Sequence, residues 1–333
     1  MATHDIWNPW HGCHKVSAGC RNCYMFQLDA QRGVTMPSTV VHRTQEFDKP
    51  LKKDRHGDFK IKAGERIRVN MTSDTFVEEA DEWRDEMWDI IRRRCDVVFY
   101  ILTKRPERIA GHLPADWGEG YENVILHITT ENQNMFNRRW PVFEAIPAKH
   151  KGLTLAPLLG PIDLGPALES GQIEQVECGG ENYANPRPCD VAWVYDIAAQ
   201  CLKHTTNFCW YESGTDLRWH GRPLRNLPWK TEQSRFAFLA GTNRKHHDVR
   251  FRLFDPVYHR ELDDDELYHP RYNDSRCLFC ASRMICNGCN GSDHCPKDLR
   301  FVPVEELERI EAGKHDEMMR WFHSGEHWIR TKA

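Results

Sequence analysis

Residues 66–104 read RIRVNMTSDTFVEEADEWRDEMWDIIRRRCDVVFYILTK, a stretch in which two strand-like segments flank an amphipathic one. The first segment, residues 66–72, predicts a strand. Residues 78–95 place acids early, bases late and apolar residues at helical spacing, which predicts a helix. Residues 96–104 form an apolar run rich in β-branched and aromatic residues, which predicts a buried strand. Two such strands joined by a helix indicate parallel pairing with a crossover helix between them.

The same alternation continues along the chain to about residue 213. Further strands are predicted at 123–130, 151–160, 172–180 and 206–213, and further helices at 105–113, 131–146 and 189–204. Five or six such units predict an α/β fold, either a partial (β/α)6 barrel of the triose-isomerase kind or an open doubly wound sheet. In both architectures functional residues sit at the carboxyl ends of the strands.

The regular pattern breaks at about residue 215, which predicts a barrel over residues 1–215 and a separate extension over residues 216–333. In the extension, residues 216–230 resemble a loop, whereas residues 246–255 alternate like a strand. A cysteine-rich segment follows, and we expect it to bind a metal.

Composition narrows the class of protein. The formal net charge of −4 argues against capture of nucleic acid by bulk electrostatics but leaves a local basic patch open. No segment has the length of a membrane span, and the N-terminus lacks the layout of a secretion signal, so we expect a cytoplasmic protein. In a reducing compartment, thirteen cysteines favour metal binding over disulfides. Five of them are isolated, and we expect these to be small buried hydrophobic residues.

Three cysteines lie close together near the start, in the segment WNPWHGCHKVSAGCRNCYM at residues 7–25. Structural zinc and a cubane iron–sulfur cluster each take four ligands. Three thiols therefore leave one coordination position free, and a free position on a metal is what catalysis uses. A zinc site with His11 or His14 as the fourth ligand stays an alternative.

Several further motifs occur in order along the chain: VNMTSDTF (69–76), LTKRPERI (102–109), TTENQ (129–133), PLLGPIDL (157–164) and GGEN (179–182). Together with the three-cysteine segment, they resemble the signatures of a bacterial and phage family of three-Cys-motif proteins of unknown function. This family is part of the radical S-adenosylmethionine (SAM) superfamily. The resemblance covers roughly residues 5–215, although the first cysteine gap is six residues where the superfamily commonly has three.

The resemblance implies a fold and a chemistry. The fold is a partial (β/α)6 barrel in which Cys13, Cys20 and Cys23 hold a 4Fe–4S cluster, and SAM chelates the fourth iron. An external one-electron donor would drive cleavage of SAM to methionine and a 5′-deoxyadenosyl radical, which abstracts hydrogen from a substrate. The substrate, a small molecule or a nucleic acid, stays open.

The resemblance and the positions of the strand ends together predict which residues contact SAM and which contact the substrate. Those expected to contact SAM are Tyr24, Thr72, Ser73, Asp74, Thr130, Glu131, Asn132, Gly179 and Gly180. Those expected on the substrate side are Lys104, Arg105, Glu181 and Glu212. Alternatives stay open: Ser73, Asp74 and Asn132 can cap helices, and Lys104 and Arg105 can pair with nearby acids. The two glycines are expected to let the backbone approach adenine or substrate closely.

The second cysteine cluster reads CLFCASRMICNGCNGSDHC at residues 277–295. It resembles the SPASM and twitch extensions of radical SAM enzymes, which bind auxiliary iron–sulfur clusters, but zinc is the alternative. The ligands would be Cys277, Cys280 and Cys286, with Cys289 and Cys295 competing for the remaining place. A zinc-containing nucleic-acid-binding protein is the alternative function. It would use these cysteines as a finger and residues 244–252 as a phosphate-facing strand.

Overall fold

The structure, a computed structural model, describes residues 6–182 and 185–268. Its strands are β1 (Ile6–Trp7), β2 (Trp10–His11), β3 (His42–Arg43), β4 (Arg66–Val69), β5 (Val98–Thr103), β6 (Val124–Thr129), β7 (His150–Leu155), β8 (Gln175–Gly179), β9 (Cys189–Asp190), β10 (Asn207–Glu212), β11 (Asp216–Trp219) and β12 (Arg222–Asn226). Its α-helices are α1 (Tyr24–Arg32), α2 (Asp81–Arg93), α3 (Pro106–Ile109), α4 (Gln133–Glu144), α5 (Gly165–Glu169), α6 (Val191–Lys203) and α7 (Lys230–Leu239).

Seven strands form one parallel sheet in the order β1-β4-β5-β6-β7-β8-β10. The order rises along the chain without a reversal. A doubly wound sheet reverses its strand order at a switch point, so that alternative is excluded. β2 pairs with β3, and β9, β11 and β12 form a third, three-stranded sheet.

The two faces of β4, β5 and β6 differ in chemistry because successive side chains of a strand point to opposite sides. Val69 lies opposite Ile101 and Ile67 opposite Phe99, so one face is apolar. The other face carries Tyr100 and His127, whose rings lie 4.4 Å apart between centroids. The hydroxyl of Tyr100 and Nδ1 of His127 are hydrogen bonded at 3.0 Å.

A glycine in β7 makes room for this buried histidine. A Cβ at Gly152 would overlap the imidazole of His127, whose Cδ2 would lie at 2.9 Å. His127 itself is fully buried. Residue 152 therefore cannot carry a side chain while His127 keeps its place.

The strands and helices predicted between residues 66 and 213 are confirmed, each within a few residues of its predicted ends. Two predictions in the extension are wrong. Residues 216–230 are not a loop, because 216–226 form the antiparallel pair β11–β12 and α7 begins at Lys230. Residues 246–255 are not a strand, since their one β-bridge joins Phe254 to Glu261. The expectation of buried isolated cysteines is confirmed for Cys178, Cys189, Cys201 and Cys209, whereas Cys95 is half-buried.

The described residues fall into two compact units, each made of several separate stretches of the chain. The first unit comprises 6–129, 137–153 and 248–268, and the second comprises 130–136, 154–182 and 185–247. Within the first unit, Phe251 stacks against His150 at 4.3 Å and Arg66 lies over the same ring at 5.3 Å. The predicted metal ligands at 277–295 lie outside the described residues. Among the residues described, no helix is long and apolar enough to cross a bilayer.

We expect Gly152→Ala to lower the free energy of unfolding by about 3 kcal/mol, because overfilling a packed core forces neighbours out of place. Gly111→Ala is the matched control, since a Cβ there meets no atom within 4 Å. It should change stability by less than about 0.5 kcal/mol. Urea unfolding followed by circular dichroism measures both values. Equal losses of stability in the two variants would show that overlap with His127 is not the cause of the loss in Gly152→Ala.

Burial lowers the pKa of His127 from the ordinary 6.5 to about 3. Between these values the unfolded chain binds a proton that the folded chain does not, so stability falls as the pH drops below about 6.5. His127 should lower the free energy of unfolding by up to about 1.4 kcal/mol for each pH unit between roughly pH 6 and 4. We expect His127→Gln to remove this part of the pH dependence of the free energy of unfolding, measured in urea. His56→Gln, at an exposed position, should retain it. Identical slopes in both variants would contradict the assignment.

Candidate functional site

The three-cysteine loop is docked on the chain immediately after β4. The loop runs from Gly12 to Cys23, between β2 and α1, and includes a 3-10 turn at Ala18–Cys20. The Gly12 N–H donates to the carbonyl of Thr72 at 3.2 Å. The Ser73 hydroxyl donates to the carbonyl of Gly12 at 2.5 Å, and the Tyr24 hydroxyl donates to the carbonyl of Met71. These bonds fix the loop at the carboxyl end of a parallel strand.

The opposite side of the loop packs against residues 38–41. The N–H of Cys13 donates to the carbonyl of Ser38 at 3.0 Å. Gly12 has a φ of +96°, and a Cβ there would overlap the carbonyl of Val40. A side chain at this position is excluded both by the backbone conformation and by the contact. The loop is therefore held between two segments, and Gly12 allows the close approach.

The thiols of Cys13 and Cys23 lie in surroundings that raise their pKa values in the protein alone. Burial and the nearby Asp74 together raise the pKa of Cys13 to about 11, against the opposing effect of Arg105. Burial also raises the pKa of Cys23, against the opposing effect of the Met25 N–H at the start of α1 and of Lys104. A bound metal ionises its thiol ligands outright, so these thiols would lose their protons on binding one.

Asp74 is a buried carboxylate with every acceptor position occupied. One oxygen, Oδ1, accepts from the Phe76 N–H at 2.9 Å and the Thr103 hydroxyl at 2.7 Å. The other, Oδ2, accepts from the Lys104 N–H at 2.9 Å and lies 3.1 Å from Arg105 Nη1. A carboxylate has about four acceptor sites, so Asp74 is saturated by the ends of β4 and β5. Its contact with SAM stays a prediction.

The helix-capping alternatives have different outcomes at the two strand ends. The prediction that Asp74 caps a helix is wrong, because the next helical turn begins only at Glu78. Ser73 is likewise committed elsewhere, to Gly12. Asn132 does cap α4, since its Oδ1 accepts from the Met135 N–H at 3.0 Å.

Arg105 connects Asp74 to the cysteine loop. Its guanidinium is almost fully buried, with Nη1 lying 3.9 Å from Cys13 Sγ and Nη2 donating to the His14 carbonyl at 3.1 Å. Pairing with acids, one of the two alternatives for this residue, is therefore confirmed, and substrate contact stays a prediction. The neighbouring Lys104 is half-buried, and its Nζ donates to the Thr129 hydroxyl at 3.3 Å.

Both histidines of the loop region bind carboxylates through Nε2. His11 lies 2.9 Å from Asp29 Oδ2, and His14 is hydrogen bonded to Glu79. In the part of the chain that the structure describes, no three His, Cys, Asp or Glu side chains are arranged to hold a metal ion. Three thiols leave the fourth position of either a cubane cluster or a zinc ion to another ligand. The metal that the loop would bind stays a prediction.

In the second unit, Glu181 and Glu212, the two acids predicted to contact the substrate, each bind side chains of the protein itself. Glu181 is buried, and Arg187 donates to its Oε2 through the backbone N–H at 2.8 Å and through Nε at 2.9 Å. Glu212 Oε2 accepts from Asn182 Nδ2 at 2.7 Å. Lys230 Nζ lies 3.6 Å from the same oxygen. Roles for Glu181 and Glu212 in substrate binding stay predictions.

The paired glycines are explained by the protein's own chain. A Cβ at Gly179 would lie 2.7 Å from Cζ of Tyr211, and one at Gly180 would overlap the carbonyl of Ser213. β10 and its continuation therefore make the close approach that we expected from adenine or substrate. Contact of these glycines with a cofactor stays a prediction.

Two further residues predicted for SAM lie buried in the second unit. Thr130 is fully buried, and its hydroxyl has no hydrogen-bond partner among the described residues. Glu131 is also fully buried, and its carbonyl accepts from the Leu159 N–H at 2.8 Å. Sequence reasoning missed Arg187, which lies outside the quoted motifs. It also missed Thr103, which lies in LTKRPERI, because nothing in that motif indicates its bond to Asp74.

We expect Asp74→Asn to lower the free energy of unfolding by about 3–5 kcal/mol, because it leaves the buried Arg105 charge without its counter-charge. Asp85→Asn removes an equal charge from an exposed position on α2 and serves as the control. Its effect should stay within about 0.5 kcal/mol. Chemical unfolding of the full chain gives both numbers. A loss below about 1 kcal/mol for Asp74→Asn would show that the pair contributes little.

Comparison with known proteins identifies a family without a function. A family model described as a protein of unknown function, DUF5131, matches residues 2–282. A search of curated proteins and a search of solved structures each found no match. Since the matched range covers most of the 333 residues, the chain belongs to the DUF5131 family.

Proposed function

We propose that the chain is a cytoplasmic radical SAM enzyme in which Cys13, Cys20 and Cys23 hold a 4Fe–4S cluster. When bound, the cluster and SAM supply a one-electron cleavage that yields a 5′-deoxyadenosyl radical able to take a hydrogen atom from a substrate. One observation carries the proposal. Three thiols lie on a single loop that hydrogen bonds fix to the carboxyl end of β4, where α/β folds place their chemistry.

The strand order supports a partial (β/α)6 barrel as the scaffold. Six strands of the sheet, β4, β5, β6, β7, β8 and β10, follow one another in chain order, and a helix follows each of them. Repeated strand–helix units in sequential order are the arrangement of barrels of the triose-isomerase kind, whose active sites lie at the carboxyl ends of the strands.

The proposal assigns a role to the charges around the loop. Arg105 beside Cys13 and the N-terminus of α1 beside Cys23 both favour thiolate over thiol. Asp74 holds Arg105 in place. These groups would stabilise the deprotonated ligands and limit the access of water to them. The half-buried Lys104 would face an anionic part of the substrate.

Other parts of the proposal rest on the resemblance alone. SAM would contact Tyr24 at the start of α1 and the strand-end residues Thr72, Ser73, Thr130 and Glu131. An external one-electron donor would reduce the cluster. The C-terminal cysteines would hold an auxiliary 4Fe–4S cluster or zinc, which would stabilise a segment rich in polar residues.

Anaerobic purification tests the proposal. Wild-type protein should be brown, and Cys13→Ala/Cys20→Ala/Cys23→Ala should lose about four iron atoms per chain, the content of one cubane cluster. Cys95→Ser is the control, because this thiol donates to the Phe254 carbonyl at 3.2 Å and a hydroxyl can replace it. Its iron content should equal that of the wild type.

Two further measurements separate the cluster from its reaction. Addition of SAM should change the electron paramagnetic resonance signal of the reduced wild-type protein and leave that of the triple variant unchanged. Dithionite and SAM together should yield 5′-deoxyadenosine only where the three cysteines are intact. Colourless wild-type protein that carries zinc alone would overturn the proposal.

A further inference from the structure

β11 and β12 form a hairpin whose turn is fixed by one carboxylate. His220 and Gly221 at the tip have φ values of +48° and +78°. Two residues with positive φ are typical of a type I′ turn, which matches the twist of a two-stranded ribbon. Asp190 accepts from the His220 N–H at 3.0 Å and from the Gly221 N–H at 2.6 Å. The tip is therefore held in one conformation.

Three leucines anchor the hairpin from below. Leu217 on β11, Leu224 on β12 and Leu227 beyond it are buried. The Leu227 N–H also donates to the Thr215 carbonyl at 2.8 Å. With its leucines buried and its tip clamped, the hairpin leaves Arg222 and Arg225 exposed, and Trp229 beyond it is exposed as well.

The outward side chains are strongly basic. Residues 216–230 contain four cationic side chains, Arg218, Arg222, Arg225 and Lys230, against one acid, Asp216. Arg218 lies 3.4 Å from Asp216 and Lys230 lies 3.6 Å from Glu212, so among the described residues the charges without a counter-charge are those of Arg222 and Arg225. The whole chain carries −4. The positive charge is therefore local, and it opposes the sign of the protein as a whole.

Two of these arginines are exposed and have no partner. The side chains of Arg222 and Arg225 make no hydrogen bond or ion pair within the described residues. By contrast, Arg252 and Arg260 in the first unit each pair with a glutamate on the surface. An unpaired guanidinium keeps its five donors available in a planar fork, a geometry that matches the oxygens of a phosphate.

An exposed aromatic ring follows the hairpin directly. Trp229 has 68% of its surface exposed. Charged residues on an edge strand have a rival explanation, because they also prevent edge-to-edge pairing of sheets. An exposed indole does not serve that purpose, because it adds apolar surface at the same place. A flat ring beside unpaired arginines is the combination that binds single-stranded nucleic acids, by stacking on bases and pairing with phosphates.

We propose that this surface, the basic hairpin of Arg218, Arg222, Arg225 and Trp229, binds a single strand of nucleic acid. Phosphates would pair with Arg222 and Arg225, and an unpaired base would stack on Trp229. The proposal goes beyond radical SAM chemistry and involves none of the residues of the three-cysteine loop. It also places nucleic acid at a different surface from residues 244–252.

Fluorescence anisotropy with the full chain and a labelled oligothymidine of about 20 nucleotides tests the proposal. Trp229→Ala should weaken binding roughly 5- to 150-fold, the range found for loss of one base-stacking contact. Arg222→Gln/Arg225→Gln should weaken binding and reduce the slope of log affinity against log salt by about 1.4, or about 0.7 per phosphate contact on a single strand.

The matched control is Arg252→Gln/Arg260→Gln, which removes the same charge from arginines that already have partners. It should leave both the affinity and the salt slope unchanged, and thermal melting should confirm that all variants are folded. Equal losses in the two double variants would reduce the effect to net charge and overturn the proposal. So would tighter binding to a duplex of the same length, or to vesicles of anionic lipid with no binding to the oligonucleotide.

The same measurement in the Cys13→Ala/Cys20→Ala/Cys23→Ala variant keeps the two proposals separate. If that protein loses its iron but binds the oligonucleotide with wild-type affinity, both proposals are supported independently. If wild-type protein carries the cluster but does not bind the strand, the inference about the hairpin fails while the cluster proposal stands.

Discussion

A single buried carboxylate organises the first unit of this protein. Asp74 accepts from the chain that follows β4 and from the chain that begins after β5, and it neutralises Arg105. Burial of a charge is costly unless its partner and hydrogen bonds are all present. Because every acceptor position is used, the ends of two neighbouring strands and one arginine are locked together, and the arginine reaches on to Cys13.

This arrangement explains how a polar, glycine-containing loop acquires a defined position. The loop buries little apolar surface, since its one valine, Val16, is exposed. It is instead held by backbone hydrogen bonds on both sides and by the guanidinium of Arg105. At Cys13 and Cys23 desolvation opposes ionisation of the thiol, and Arg105 and Lys104 respectively offset part of that effect.

Much of the fold was predictable because parallel strands buried on both faces produce continuous apolar runs. β5 and β6 were identified for that reason. The hairpin of β11 and β12 was missed because each strand has one buried residue, Leu217 or Leu224, and one residue defines no period. The positions of Cys13, Cys20 and Cys23 were clear from spacing. The pairing of Asp74 with Arg105 was not, because no local pattern connects residues 31 positions apart in the chain.

Asp190 has a mechanical consequence for the second unit. The carboxylate that clamps the hairpin tip also accepts from the Ala192 N–H and so begins α6. One side chain thus couples a ribbon to the axis of a helix that starts some 30 residues earlier in the chain. Rotation of the ribbon away from α6 would cost the two hydrogen bonds that its tip makes to the residue capping that helix. The position of the tip is therefore referenced to the N-terminus of α6.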